Sequence, residues 1–169
     1  MPKLAIVING KPGAGKDTLC DAVIRRGKAR KISSIDPIVA IAKLGGWDGE
    51  KTAASRKLLS DIKRVFADFN DLPNRYVTQA YRDFMQSGDE FLFVHIRERD
   101  QIEAFRRGTY GNCLTLLIRR PGSGDSMGND SDDGVYGMDY DAVFDNDQPQ
   151  ELAEMAFVAF IQQLGERYE

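Results

Sequence analysis

The 169-residue sequence is poor in the residues that build metal cages and covalent frameworks, with one histidine (His95), two cysteines (Cys20 and Cys113) and one tryptophan (Trp47). The cysteines stand 93 positions apart, which gives neither a zinc spacing nor a disulfide framework. Both are expected to be small buried apolar groups. A single histidine excludes any site that needs two. No apolar run approaches the roughly 20 residues that span a bilayer, so no membrane partner is expected. The opening MPKLAIVING carries no secretory cleavage site, and a cytoplasmic protein is the expectation. The basic excess of a protein that binds nucleic-acid polymers is also missing, since the formal net charge is −3.

What is present is ordinary in bulk and uneven in detail. Hydrophobic residues make up 42% and charged residues 29%, the mixture of one soluble globular domain spanning residues 1–169. Between Gly122 and Gln150 there are eight Asp and no Lys, Arg or Glu. Removing those eight from the 26 acids leaves 18 against 23 Lys and Arg, so the body carries +5 and one segment is acidic. Such a body suits small phosphorylated ligands.

Hydrophobic patterning predicts strands at 4–8, 31–35, 91–96, 113–118 and 142–144. Helices are predicted over 17–26, 36–44, 53–69, 73–85, 97–107 and 150–167, the second with Asp36 as N-cap and the last capped near Asp147. The third helix is the most clearly amphipathic, with Leu58, Ile62, Val65, Phe66 and Phe69 on one stripe and Arg56, Ser60 and Lys63 opposite. Residues 121–140 have no periodicity and read as a mobile lid. They fail as an EF-hand: aligned on Gly134, Asn129 and Ser131 take the acidic places and Tyr140 replaces the closing Glu. Strands alternating with helices predict a three-layer α/β fold, a parallel sheet of about five strands with helices on both faces.

The strongest motif is Gly10-Lys11-Pro12-Gly13-Ala14-Gly15-Lys16-Asp17-Thr18. It keeps the G-x-x-x-x-G-K spacing of a phosphate-binding P-loop, after a strand and opening a helix. Glycines let the backbone curl so that successive N–H groups converge on phosphate oxygens, and the helix N-terminus adds partial positive charge. Lys16 supplies a mobile charge for the β- and γ-phosphates. Asp17 stands where Ser or Thr usually holds Mg²⁺, with Thr18 one place later. A carboxylate there can hold Mg²⁺ through water, or it can simply favour the first helical turn. The motif predicts a nucleoside triphosphate ligand.

The loop resembles that of nucleoside monophosphate kinases, where Gly or Asp separates the Lys from the Thr. The segment Phe91-Leu92-Phe93-Val94-His95-Ile96-Arg97, with the following helix and Leu114-Thr115-Leu116-Leu117-Ile118-Arg119-Arg120, is similar to the D-V-R region of phage-type deoxynucleoside monophosphate kinases. Adenylate kinase and phosphomevalonate kinases are relatives of that group. Ser131-Asp132 followed by Tyr140 to Asp147 is similar to their closing region, which places Asn146 at the nucleotide. The likeness runs through most of the chain in order, and only the P-loop is specific by itself.

The resemblance implies transfer of the γ-phosphoryl of ATP, with Mg²⁺, to a nucleoside or deoxynucleoside monophosphate. It assigns the acceptor phosphate to Arg97, whose planar fork suits phosphate oxygens. His95 stands where the family has Asp, so organising the metal falls to Asp17 or is lost. His95 itself is then either a core residue or part of the acceptor site. One of Arg119 and Arg120 would reach the transferring phosphoryl from the lid side, unless one is solvated and the other pairs with a nearby Asp. Arg56 would bind the acceptor phosphate or lie on a solvated face. Asp36 would touch the acceptor or serve only as a cap, and Trp47 would stack on a base or tuck against the body. Another small phosphate ester, such as phosphomevalonate, is the alternative acceptor; a regulatory nucleotide-binding protein without an acceptor is the alternative class. A monomer or weak homodimer is expected.

Overall fold

A computed structural model describes residues 3–121 and 137–168. The sheet grows from runs that are apolar on both faces. β1 (Leu4–Asn9) is buried along its whole length, and β3 (Phe91–His95) and β4 (Cys113–Arg119) nearly so. The edges are β2 (Ala29–Ser33) and β5 (Ala142–Asp145). The order is β2-β3-β1-β4-β5 and every pairing is parallel. Buried central strands between more polar edges are what a doubly covered parallel sheet demands.

Six helices are present among the described residues: α1 (Lys16–Ile24), α2 (Asp36–Leu44), α3 (Ala53–Asn70), α4 (Leu72–Gln86), α5 (Arg99–Gly108) and α6 (Gln150–Arg167). Strand alternation divides the core between them. Ile6, Ile8, Phe93, Leu116 and Ile118 face Leu19 and Val23 of α1 and Phe157 and Ile161 of α6. On the other side Ala5, Val7, Leu92 and Val94 face Val77, Tyr81 and Phe84 of α4 and Ile102 and Phe105 of α5. The three-layer architecture read from the sequence is therefore the one observed. Both thiols are buried, and burial pushes each above its ordinary pKa. No helix of the described residues is long and apolar enough to cross a membrane. Residues 122–136, which hold most of the expected lid and the Ser131-Asp132 resemblance, lie outside the described residues.

Several boundaries differ from the sequence reading for local reasons. β2 begins at Ala29, two residues early, because its register pairs Ala29 with Phe91 and Ser33 with His95. The N-cap of α2 is Ile35 and not Asp36. Asp36 is the first helical residue, and its carboxylate reaches back to accept the Ser33 N–H at 2.8 Å. α5 starts at Arg99, which leaves Arg97 in the connection after β3. α6 is preceded by Pro149 as N-cap rather than by Asp147, since the residue before a proline is pushed out of the helical region.

The largest correction concerns α3. A Thr52–Ser55 capping box starts it, and Asp71, at φ 56°, ends it and leads directly into α4. Its apolar stripe is covered only in part: Ile62 and Phe66 are half-buried, Leu58, Val65 and Phe69 are exposed, and the one fully buried residue among its 18 is Ser55. The helix packs on α2 and α4 and turns toward the body a side that includes Lys63. That ammonium meets the Glu98 carboxylate at 2.5 Å, just before α5.

Candidate nucleotide and acceptor site

The functional residues gather at the carboxyl edge of the sheet, where open α/β folds place ligands. The P-loop leaves β1 at Gly10, which lies so close to β4 that a Cβ there would sit 2.6 Å from the Ile118 carbonyl oxygen. Only glycine fits that approach. Gly13 and Gly15 have φ near +81° and +88°, the left-handed region open to glycine. Between them the Ala14 N–H donates to the Lys11 carbonyl at 3.0 Å. Gly15 is the N-cap of α1 and has no side chain to cap it, which leaves the first-turn N–H groups for an anion.

Lys16 folds over the loop, its ammonium donating to the Gly10 carbonyl at 2.5 Å and to the Lys11 carbonyl at 3.4 Å. The Lys16 ammonium gains on moving from neutral carbonyls to phosphate oxygens, because opposite charges then attract at short range. Behind the loop, the buried Asn146 side-chain amide donates to the Ala14 carbonyl at 2.8 Å, and its backbone N–H donates to the Arg119 carbonyl at 2.7 Å. Asn146, expected at the nucleotide, thus braces the turn that would hold it. Of the other loop residues, Lys11 is half-buried and Pro12 and Thr18 are exposed.

Asp17 and His95 lie together at the start of α1. Asp17 Oδ1 is 4.0 Å from His95 Nε2 and 3.2 Å from the Lys31 ammonium, which also holds Asp21 at 2.8 Å. Partial burial pushes the Asp17 carboxyl up, but the Lys31 hydrogen bond and the neighbouring His95, Lys31 and Lys16 charges outweigh it and hold the group below its ordinary value. Burial dominates at His95 and pulls it below 6.5, with Lys16 and Lys31 adding to that and Asp17 opposing it.

The remaining cations lie elsewhere along the chain. Arg97 is exposed beyond the end of β3, next to the Glu98–Lys63 pair. Arg56 is exposed on α3 two turns before Lys63, a spacing that returns to the same helix side. Arg119 grips Asp145 through two bonds of 2.7 and 3.0 Å. That hydrogen bond lowers the Asp145 carboxyl against a slight opposing effect of burial. Arg120 follows it, exposed. Asp36 is occupied by Ser33 and by the Tyr76 hydroxyl at 3.4 Å. Trp47 donates its indole N–H to the Glu50 carbonyl at 3.1 Å. It lines a shallow cavity of about 290 Å³ with Leu58, none of whose lining residues belongs to the P-loop.

Three contributors escaped the sequence reading. Lys31 carried a signal, since Asp17 and Asp21 stand four apart on one helix side and imply a cation opposite. The Lys63–Glu98 pair had none, because it joins residues 35 positions apart. Asn9, only 2% exposed with its Nδ2 unpartnered, reads in sequence as the polar end of a strand. Among the described residues no three His, Cys, Asp or Glu side chains gather as a metal cage. Asp17 and Thr18 are the loop side chains that could hold a nucleotide-bound divalent ion, through water.

No protein-family model matches the chain, and no curated protein sequence matches it. Solved structures share its fold. Dephospho-CoA kinase from Campylobacter jejuni aligns over 100% of both chains at 15% identity and a TM-score of 0.60. A sugar kinase from a Janibacter species aligns over 96% of this chain and 95% of its own at 15% identity and a TM-score of 0.55. The tunicamycin resistance protein of Deinococcus radiodurans aligns over 94% and 95% at 18% identity and a TM-score of 0.53. At these identities the likeness shows the fold alone, and the activity rests on the site.

Proposed function

We propose that this protein is an ATP-dependent phosphotransferase that moves the γ-phosphoryl group of ATP to a nucleoside or deoxynucleoside monophosphate. What supports this reading is the P-loop, with Lys16 resting on loop carbonyls, together with Arg97, exposed just past the end of β3. The solved structures that share the fold include proteins named as kinases of small molecules.

In this reading Lys16 leaves the Gly10 and Lys11 carbonyls and follows the β- and γ-phosphates, while the loop and α1 amides hold their oxygens. Arg97 takes the acceptor phosphate bidentately, with Arg56 from α3 as its second clamp. An oxygen of that phosphate attacks the γ-phosphorus, the bond to the β,γ-bridging oxygen breaks, and ADP leaves. The attacking oxygen needs no general base, because a phosphate monoester is already mostly dianionic near pH 7. One of Arg119 and Arg120 meets charge on the transferring group, and Arg119 would first have to leave Asp145. Mg²⁺ bound with the triphosphate supplies charge neutralisation at the phosphate oxygens. Asp17 and Thr18 are its nearest candidates in the loop, through water.

Arg97→Ala tests the assignment. It should raise KM for the monophosphate far more than KM for ATP, and equal losses on both substrates would remove its role. Lys16→Ala should abolish transfer to every acceptor. A dinucleoside polyphosphate that joins both substrates should bind much more tightly than ATP, since the linked module adds affinity only where a second site exists.

A further inference from the structure

We propose that α3 pairs antiparallel with the α3 of a second copy of this chain, giving a two-fold symmetric dimer whose contact is the exposed shoulder of that helix. The starting point is apolar surface that the body leaves open: Leu58 is 41%, Val65 56% and Phe69 78% exposed. Grouped apolar residues on a protein surface mark contacts with other molecules. With the half-buried Ile62 they fall at 58, 62, 65 and 69, the alternating steps of four and three that make a helix–helix seam. The side of α3 that faces the body is a different one, and runs through the half-buried Leu59, Lys63, Phe66 and Asn70.

Charge identifies the occupant. One position before each seam residue stands a charged one, Lys57, Asp61, Arg64 and Asp68, a row that alternates in sign along the open flank of the seam. Asp61 lies 2.5 Å from Lys57 and 3.0 Å from Arg64 within the helix, and such exposed pairs are weak enough to be shared with a neighbour. A two-fold axis at the middle of α3, near residue 63, sets Leu58 against Phe69 of the second copy and Ile62 against its Val65. The same axis brings Lys57 beside the second copy's Asp68 and Asp61 beside its Arg64. Every charge of the row meets its opposite, and every seam residue meets an apolar one. A parallel pair would set each charge level with its own like, and a partner of single sign would match only half of the row. The antiparallel copy is the partner that complements it throughout, and such a contact closes on itself because both copies use the same patch. Arg56 stands nine positions before Val65, two and a half turns and so on the other side of α3, which leaves it for the acceptor. The pair is small and dissociates at the low concentrations of unfolding experiments, where each chain keeps its own stability.

Sedimentation equilibrium of the full chain over a wide range of protein concentration tests this. The expected result is a reversible monomer–dimer equilibrium with a micromolar dissociation constant, which rises with salt. Val65→Asp puts a carboxylate into the seam from both copies and should weaken association at least about 100-fold. The double variant Lys57→Glu, Arg64→Glu makes the row wholly acidic, and the double variant Asp61→Lys, Asp68→Lys makes it wholly basic, so each alone should be monomeric. Mixed in equal amounts, the two should form a heterodimer, which neither an unfolded variant nor a contact elsewhere on the surface would produce. A chain that stays monomeric at every concentration overturns the proposal. So does a dimer that Val65→Asp leaves intact, or a mixture of the two charge variants that does not associate.

Discussion

The brace behind the P-loop gives a quantitative prediction. An alanine Cβ at position 15 would lie 2.6 Å from Asn146 Nδ2, with the next atom, Asn146 Cγ, at 3.9 Å. Gly15→Ala therefore costs about 1–2 kcal/mol for a non-glycine residue in the left-handed region. The contact adds about 1–3 kcal/mol of overpacking. Asn146→Ala removes the partner of a buried carbonyl, that of Ala14, and costs about 1–3 kcal/mol. For a chain of 169 residues, an unfolding entropy of about 2.1 cal/mol/K per residue makes each kcal/mol worth about 3 °C in Tm. The two losses overlap, because a methyl at position 15 already drives the Asn146 amide off Ala14. The double variant should be more stable than the sum of the singles by about 1–3 kcal/mol. Gly13→Ala is the control: it shares the positive φ but meets nothing within 4 Å, so it should combine additively with Asn146→Ala. Urea unfolding of the set measures this. Additivity of Gly15→Ala and Asn146→Ala within about 0.5 kcal/mol would refute the brace.

Two further outcomes follow from the packing and the electrostatics. Phe69 is exposed and Phe157 fully buried, so Phe69→Ser should change stability by no more than about 0.5 kcal/mol, whereas Phe157→Ala should cost about 3–5 kcal/mol. Equal losses in denaturant titrations would mean that α3 is covered as the sequence pattern first implied. Burial raises the Asp141 carboxyl, but the Thr115 N–H and hydroxyl and the Arg106 guanidinium overcome it and hold the group below 3.8. Its contribution is thus complete above the unfolded value of about 3.9 and fades as pH falls through that value toward the lower folded one. Stability measured from pH 6 to pH 2 should fall less steeply in Asp141→Asn than in the unsubstituted protein, and parallel curves would contradict the assignment.

What the sequence disclosed was what neighbouring residues decide. The P-loop was legible because its glycine spacing, preceding strand and following helix are contiguous. β1, β3 and β4 were legible because a strand buried on both faces must be apolar throughout. The stripe on α3 misled because amphipathicity shows that a surface is apolar without showing what covers it. Lys63 turns inward for Glu98, a partner no local pattern announces. Asn146 was placed near the nucleotide, yet its bond to the Ala14 carbonyl spans 132 positions. β2 was shifted because its ends follow the register with β3 rather than its own apolar content. His95 and Asp17 stand 78 positions apart in the chain, and only the packing of α1 beside β3 brings them together.

The most direct test of the central claim is ADP release from Mg-ATP with each common nucleoside and deoxynucleoside monophosphate supplied separately, using Lys16→Ala protein as the background. The account predicts a large rise with one or two monophosphates and none with the variant. Release that stays at the Lys16→Ala level with every monophosphate would contradict it.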